Sequence, residues 1–169
     1  MIEIVTADIT TLETDAIVNA ANGALRGGGG VDGAIHRAAG PQLMTELKLF
    51  PGCPTGEAVR TRGYKLRARY VIHAVGPVWH GGAQSESALL ARAYESSFAK
   101  AEEAGDIQSI AFPALSTGAY RFPKPDAARI ALRSMLAHEG EYERIVACLH
   151  EERDAELYRD TLTMLRKSR

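Results

Sequence analysis

Cysteine is scarce in this 169-residue chain: Cys53 and Cys148 are far apart and form no Cys-x-x-Cys pair. That excludes a disulfide framework and argues against a structural zinc site. Cys148 lies in the apolar run Ile145–Leu149 and reads as a small buried core residue. Free thiols fit a reducing, cytoplasmic compartment. No apolar run approaches the roughly 20 residues that span a bilayer, so a membrane is not expected as a partner. The opening residues MIEIVTADIT lack a basic and an apolar signal region, and read as the start of a strand. Neither sign of charge is in excess, since 20 Lys and Arg against 21 Asp and Glu leave −1. So even a balance argues against a protein held on nucleic acid by bulk charge. One local excess, Arg60, Arg62, Lys65, Arg67 and Arg69, reads as solvated loop and strand edge. Repeats, linkers and low-complexity tracts are also absent. At about 150 residues per domain, residues 1–169 make a single domain. A domain of this size buries roughly 70% of its unfolded surface, so a monomer suffices.

What is present is alternation. Ile2–Thr6, Ala16–Val18, Glu57–Arg62, Tyr70–Val75, Ile110–Phe112 and Ile145–Leu149 read as strands. Tyr70–Val75 is apolar almost throughout, as a strand covered on both faces would be. Val31–Leu49 has helical spacing, interrupted at Gly40-Pro41. Glu86–Ala104, Pro125–His138 and Asp154–Lys167 complete the helices. This order predicts an α/β sandwich with a largely parallel sheet. Ligands in such sheets bind at the carboxyl ends of strands, in the loops leading to helices.

The most unusual of those loops is Asn19-Ala-Ala-Asn22-Gly-Ala-Leu-Arg-Gly27-Gly28-Gly29-Gly30-Val31-Asp32-Gly33-Ala-Ile-His36. Four glycines between a strand and a helix let backbone N–H groups approach a ligand closely. With the positive end of the following helix they suit a pyrophosphate; a merely flexible loop is the plainer alternative. A Walker loop would end in Gly-Lys-Ser/Thr, which is missing. Gly28-x-Gly30-x-x-Gly33 satisfies the dinucleotide pattern formally. Eight residues separate it from the strand, however, and the next strand ends in Arg60 and Arg62 where an acid is wanted. A second anion loop, Ser116-Thr117-Gly118-Ala119-Tyr120, follows a short strand and brings hydroxyls and free N–H groups, or else is an ordinary turn.

These segments resemble the macrodomain family, specifically its MacroD-type ADP-ribosyl hydrolases and O-acetyl-ADP-ribose deacetylases. The likeness runs through Ala7-Asp8-Ile9-Thr10, the glycine loop, Cys53-Pro-Thr-Gly-Glu-Ala58, His73-Ala-Val-Gly-Pro-Val-Trp79 and Phe112-Pro-Ala-Leu-Ser116-Thr-Gly118-Ala-Tyr120. It implies a three-layer α/β/α sandwich with a central mixed, largely parallel sheet. It also implies binding of ADP-ribose and its esters, and hydrolysis of esters on the distal ribose. The acyl group is acetate, or the carboxylate of a mono-ADP-ribosylated protein. No cofactor or metal is implied. A non-catalytic ADP-ribose reader is the alternative, and a module for RNA ends or poly-ADP-ribose a third, favoured only by the basic stretch at residues 60–69.

By resemblance Asp8 accepts from the adenine amine and the Ile9 N–H meets a ring nitrogen; a turn acid or helix cap is the other reading of Asp8. Gly28, Gly29, Gly30 and Val31 face the diphosphate, with Ser116, Thr117, Gly118, Ala119 and Tyr120 opposite. Asn22 and Asp32 carry over as catalytic, with His36 secondary. Asn22 offers both a donor and an acceptor. Asp32 activates water, or orients the ribose while a substrate phosphate does so; it also suits a helix N-cap. His36, four residues on, shares its helix face or belongs to the core. Three positions depart from relatives. Ala7 stands where many have Gly. Arg121-Phe122 replaces a frequent Gly-Tyr, with Phe122 placed against the distal ribose and Arg121 a possible phosphate contact. Leu149 replaces an aromatic beside the adenine. Asp32→Ala is expected to fold with an unchanged thermal midpoint and to lose most turnover.

Overall fold

The computed structural model describes all residues, Met1–Arg169. Six strands form one sheet: β1 (Ile2–Thr6), β2 (Ala16–Ala20), β3 (Ala58–Arg62), β4 (Tyr70–Ala74), β5 (Ser109–Phe112) and β6 (Arg144–Leu149). They lie in the order β1-β6-β5-β2-β4-β3. Every pairing is parallel except β3 with β4. The mixed, largely parallel sheet is therefore as expected. Helices α1 (Gly30–Ala39), α2 (Pro41–Leu47), α3 (Glu86–Ala104), α4 (Lys124–His138) and α5 (Glu152–Lys167) cover it.

Side-chain alternation divides the core between the two faces. Ala16, Val18, Ile72, Ala74, Ile110, Phe112, Ile145, Ala147 and Leu149 pack with residues of α3, α4 and α5. Ile17, Val71, Ala111, Val146 and Cys148 point the other way, into a smaller core with Ile35 and Ala39 of α1 and Leu43 and Leu47 of α2. Neighbours along a strand thus serve opposite layers, as a period of two requires. The near-continuous apolar strands are the consequence.

The break expected at Gly40-Pro41 is real. Gly40 has φ 90°, so α1 stops there and Pro41 opens α2 at its first turn. Strand β2 runs two residues past Val18, through Asn19 and Ala20. That extension puts a fully buried asparagine inside the sheet, opposite His73 of β4.

The basic stretch is spread among partners. Arg67 meets Glu13 at 2.5 Å, Arg69 meets Asp106 at 2.6 Å and Asp15 at 3.2 Å, and Arg60 caps the Lys100 carbonyl at 2.7 Å. No helix is long and apolar enough to cross a membrane.

Candidate functional site

The carboxyl ends of β2, β4 and β5 open on one cavity of about 460 Å³, within the usual range for small-molecule sites. Ala20, Ala21 and Asn22 line it from the end of β2, and Gly28 through Asp32 from the loop and first turn of α1. Gly76 follows β4; Ala114, Leu115, Ser116, Gly118, Ala119 and Tyr120 follow β5. The glycine loop and the serine loop, distant in sequence, therefore face each other.

The glycines have distinct tasks. A side chain on Gly29 or Gly30 would meet nothing within 4 Å, so their backbones border open space. A Cβ on Gly33 would lie 2.7 Å from the Gly28 carbonyl oxygen, so only glycine lets α1 pack so close to the loop. Asn22 holds the loop from within: its Oδ1 accepts from Leu25 N–H at 3.1 Å and its Nδ2 donates to the Gly27 carbonyl at 2.9 Å. One amide hydrogen remains for a ligand. Arg26 fixes the outer side, donating to the carbonyls of Leu47 and Phe50 at 3.1 Å each.

Asp32 is not the helix cap. That place is taken by Gly29, and Asp32 is buried in the first turn of α1. There its negative charge suits the helix dipole. Its Oδ1 accepts from Asn19 Nδ2 at 2.8 Å. Its Oδ2 lies 3.4 Å from where a Gly28 Cβ would be, and Asn22 Nδ2 lies 3.6 Å from the same point. Asp32 and Asn22 thus flank one spot on the cavity floor. His36 does not line the cavity. Its Nε2 comes within 3.3 Å of Asp32 Oδ1, but the approach is too poorly aimed for a hydrogen bond and leaves Nε2 buried without one. His36 stands behind the carboxylate.

Behind Asp32 runs a buried polar chain. Asn19 Nδ2 is 3.1 Å from His73 Nδ1, and His73 Nε2 is 2.9 Å from Thr61 Oγ1. Burial, with some repulsion from His36, pushes the His73 imidazole down to about 3, so the ring is neutral. Asn19 Oδ1 is buried without a partner, which costs about 1–3 kcal/mol. The site motifs named Asn19 and His73 without giving them tasks. Composition held one signal: Asn19 and Asn22 are the only two asparagines in the chain.

The serine loop is held under tension. Ser116 and Arg121 have φ of 67° and 62°, values side chains seldom adopt. The turn is closed by Phe122 N–H on the Ser116 carbonyl at 2.9 Å and by Arg121 N–H on that of Gly118 at 3.0 Å. The Ser116 hydroxyl is buried and unpartnered beside the cavity. Trp79 N–H, at 2.8 Å from the Tyr120 carbonyl, ties this loop to the segment before α3. That segment is pinned by Glu86, whose buried carboxylate accepts from the N–H groups of His80, Gly82 and Gln84 at 2.6–3.0 Å. Burial pushes the Glu86 carboxyl up, but these donors prevail and leave it at about 2.

Several expected contacts fall elsewhere. Phe122 is not at the cavity wall; it is 2% exposed, its ring 4.9 Å from Trp79, because an apolar ring is more stable in the core. Leu149 likewise faces the α3–α5 core and not a ligand surface. Arg121 is exposed and outside the lining; Thr117, half-buried, is also outside it. The Ile9 side chain is in the core, and its expected contact is through the backbone N–H. Asp8 is exposed at the end of β1, where its Oδ1 caps a short 3-10 turn by accepting from Thr10 N–H at 3.0 Å. Thr10 holds its carboxyl below the usual range. Cys148 is core as expected, its thiol 3.4 Å from the Ala7 carbonyl and pushed up by burial to about 11.

Fold and cavity together define an α/β sandwich with two facing, anion-suited loops beside a buried carboxylate. Comparison places it more closely. The macro domain family model matches residues 18–131, and the chain belongs to that family. It is 54% identical over 160 residues to a macro domain-containing protein of Ralstonia nicotianae, covering 95% of this chain and 93% of that one. It is 51% identical over 167 residues to an O-acetyl-ADP-ribose deacetylase of Klebsiella pneumoniae, covering 95% of each. Among solved structures, the Oceanobacillus iheyensis macrodomain with ADP superposes with a TM-score of 0.93 at 40% identity, over 99% of this chain and 93% of that one. The Trypanosoma brucei macrodomain in complex with ADP-ribose gives 0.85 at 42% identity, over 93% and 67%.

Proposed function

We propose that this chain binds ADP-ribose in the cavity and hydrolyses esters on its distal ribose. The observation that carries the reading is the placement of Asp32: one carboxylate oxygen is tied down by Asn19 while the other flanks the cavity floor beside Asn22. A carboxylate held in one orientation beside the ribose suits a general base. The diphosphate lies between the open N–H groups of the glycine loop and the serine loop, whose hydroxyl is free to donate. The adenine is placed beyond the cavity lining, toward Asp8, whose Oδ2 makes no hydrogen bond within the chain. Water attacks the acyl carbon, Asp32 takes the water proton, and the acyl–oxygen bond breaks to return a hydroxyl to the ribose. A carboxylate and ADP-ribose are the products. O-acetyl-ADP-ribose and Asp- or Glu-linked mono-ADP-ribosylated proteins share this ester. The reading is tested by turnover of both substrates together with calorimetry of ADP-ribose. Binding without turnover would make the chain a reader.

Two smaller effects follow. A Cβ on Gly76 would lie 2.1 Å from Ser116 Oγ, so Gly76→Ala displaces that hydroxyl. ADP-ribose affinity is expected to fall about tenfold, roughly 1.4 kcal/mol. In a Ser116→Ala background the same change is expected to matter less, because the atom it strikes is gone. Equal losses in both backgrounds, read by calorimetry, would rule the contact out.

Arg121 tests the opposite case. Its side chain stands off the cavity and its backbone is left-handed. Arg121→Gly is expected to raise stability by about 1 kcal/mol and leave ADP-ribose affinity within about twofold. A clear loss of affinity would restore a phosphate contact for this arginine.

A further inference from the structure

The chemistry above uses Asp32 but not the residues behind it. Asn19, His73 and Thr61 are buried and touch neither cavity nor solvent. Polar groups in such a place need partners, and their hydrogens can be assigned from either end. From the Asp32 end, the carboxylate accepts, so the Asn19 atom against it is the amide nitrogen. That same nitrogen faces His73 Nδ1, which therefore accepts too. From the other end, Thr61 has one hydroxyl hydrogen and gives it to the Arg62 carbonyl at 3.1 Å. Its oxygen then accepts from His73 Nε2. Both ends require the same tautomer, with the proton on Nε2.

We propose that Thr61 and His73 are positioning residues for Asp32: Thr61 fixes the His73 tautomer, His73 fixes the orientation of the Asn19 amide, and Asn19 holds the carboxylate. The inference rests on the reading that Asp32 acts on the substrate. The unpartnered Asn19 Oδ1 supports it, since the amide is turned to serve two acceptors at the expense of its own oxygen. The ring stays neutral, so Thr61 controls where its proton sits and not whether it is charged. Without the Thr61 oxygen the Nε2–H is buried with no acceptor, and the balance, then held by the Asn19 end alone, shifts toward a proton on Nδ1. It would then oppose the Asn19 amide hydrogens, turn the amide, and bring Asn19 Oδ1 against the Asp32 carboxylate. A residue on strand β3, outside the cavity lining, thereby sets the geometry of the reacting group.

The test compares the parent with Thr61→Val, His73→Gln and His73→Leu. Long-range proton–nitrogen spectra report the tautomer, calorimetry the ADP-ribose affinity, and O-acetyl-ADP-ribose turnover kcat and KM. The parent is expected to show the Nε2–H form. Thr61→Val keeps shape but removes the hydroxyl; it is expected to move the proton to Nδ1 and lower kcat about tenfold, with KM and affinity within about threefold. Glutamine offers an acceptor and a donor like the neutral ring, so His73→Gln is expected within about threefold of the parent kcat, and His73→Leu at least about tenfold below it. If His73→Leu fails to fold, the other two variants decide. An Nδ1–H form in the parent, an unchanged tautomer and kcat in Thr61→Val, or a His73→Gln as slow as folded His73→Leu would overturn the proposal. Should the parent turn over nothing, the hydrolase reading fails by itself. The spectra then decide the positioning role: Nε2–H in the parent, with the Asn19 amide resonances displaced in Thr61→Val, supports it, and unmoved resonances refute it.

Discussion

Replacing Asp32 by alanine is expected to slow O-acetyl-ADP-ribose turnover by about 10²–10⁴-fold while ADP-ribose still binds. The binding elements lie mostly elsewhere, in the N–H groups of residues 28–30 and in the serine loop, so affinity changes far less than rate. Asp32→Asn separates the two tasks of the carboxylate. The amide keeps an oxygen for Asn19 and a group to orient the ribose, but it cannot take a proton from water. If Asp32 is the base, both variants are slow to a similar degree. If a substrate phosphate activates the water, Asp32→Asn retains much of the parent rate and the assignment of the base is wrong. The fold should survive, though not untouched. Alanine leaves an Asn19 N–H buried without its acceptor, at about 1–3 kcal/mol. The thermal midpoint is then expected to fall by roughly 2–10 °C. This corrects the expectation of an unchanged midpoint, which treated Asp32 as separable from the core.

The framework was legible because each element obeys a local rule. Strands such as Tyr70–Ala74 are apolar on both faces, and α3 ends at Gly105 as its pattern requires. The glycine loop was legible for the same reason: four glycines before a helix have few other uses. What could not be read was depth. Nothing local tells that Asn19 continues β2 and is buried, because that depends on His73 lying opposite in another strand. Phe122 was misplaced for a related reason. Its neighbours in sequence line the cavity, but the left-handed turn at Arg121 is followed by a ring that packs on Trp79, 43 residues away. The task of Asn22 was half-seen, since hydrogen bonds to Leu25 and Gly27 need the loop's actual path. Motifs name which side chains converge. The layer behind them is set by strand register.

His73 is also expected to make the protein acid-labile. A histidine whose pKa is pushed down to about 3 by burial in the native state, against an ordinary value of 6.5, is protonated first in the unfolded chain. Between those two values the unfolded state binds the extra proton, so stability rises with pH and is lost as pH falls through this window. At about 1.4 kcal/mol per pH unit, the loss from this one group reaches roughly 3 kcal/mol by pH 4 and approaches 5 kcal/mol near pH 3. Other groups act in the same range with different signs. His138 is raised: burial opposes its charge, but Glu95 at 2.8 Å and Glu141 outweigh it, so its stabilisation is complete below 6.5 and fades as pH rises through the raised value. Glu86, lowered to about 2, adds to acid lability only below its ordinary value of 4.5. The stretch from pH 6.5 to pH 4.5 therefore isolates His73 best. Urea unfolding at half-unit steps, on the parent and on His73→Gln, should show a slope in the parent that the variant lacks, because glutamine offers the same two hydrogen bonds and never titrates. Equal slopes would mean that the ring takes up its proton in the folded state. Asn19 would then lose its acceptor at Nδ1, and the anchoring of Asp32 would itself become a function of pH.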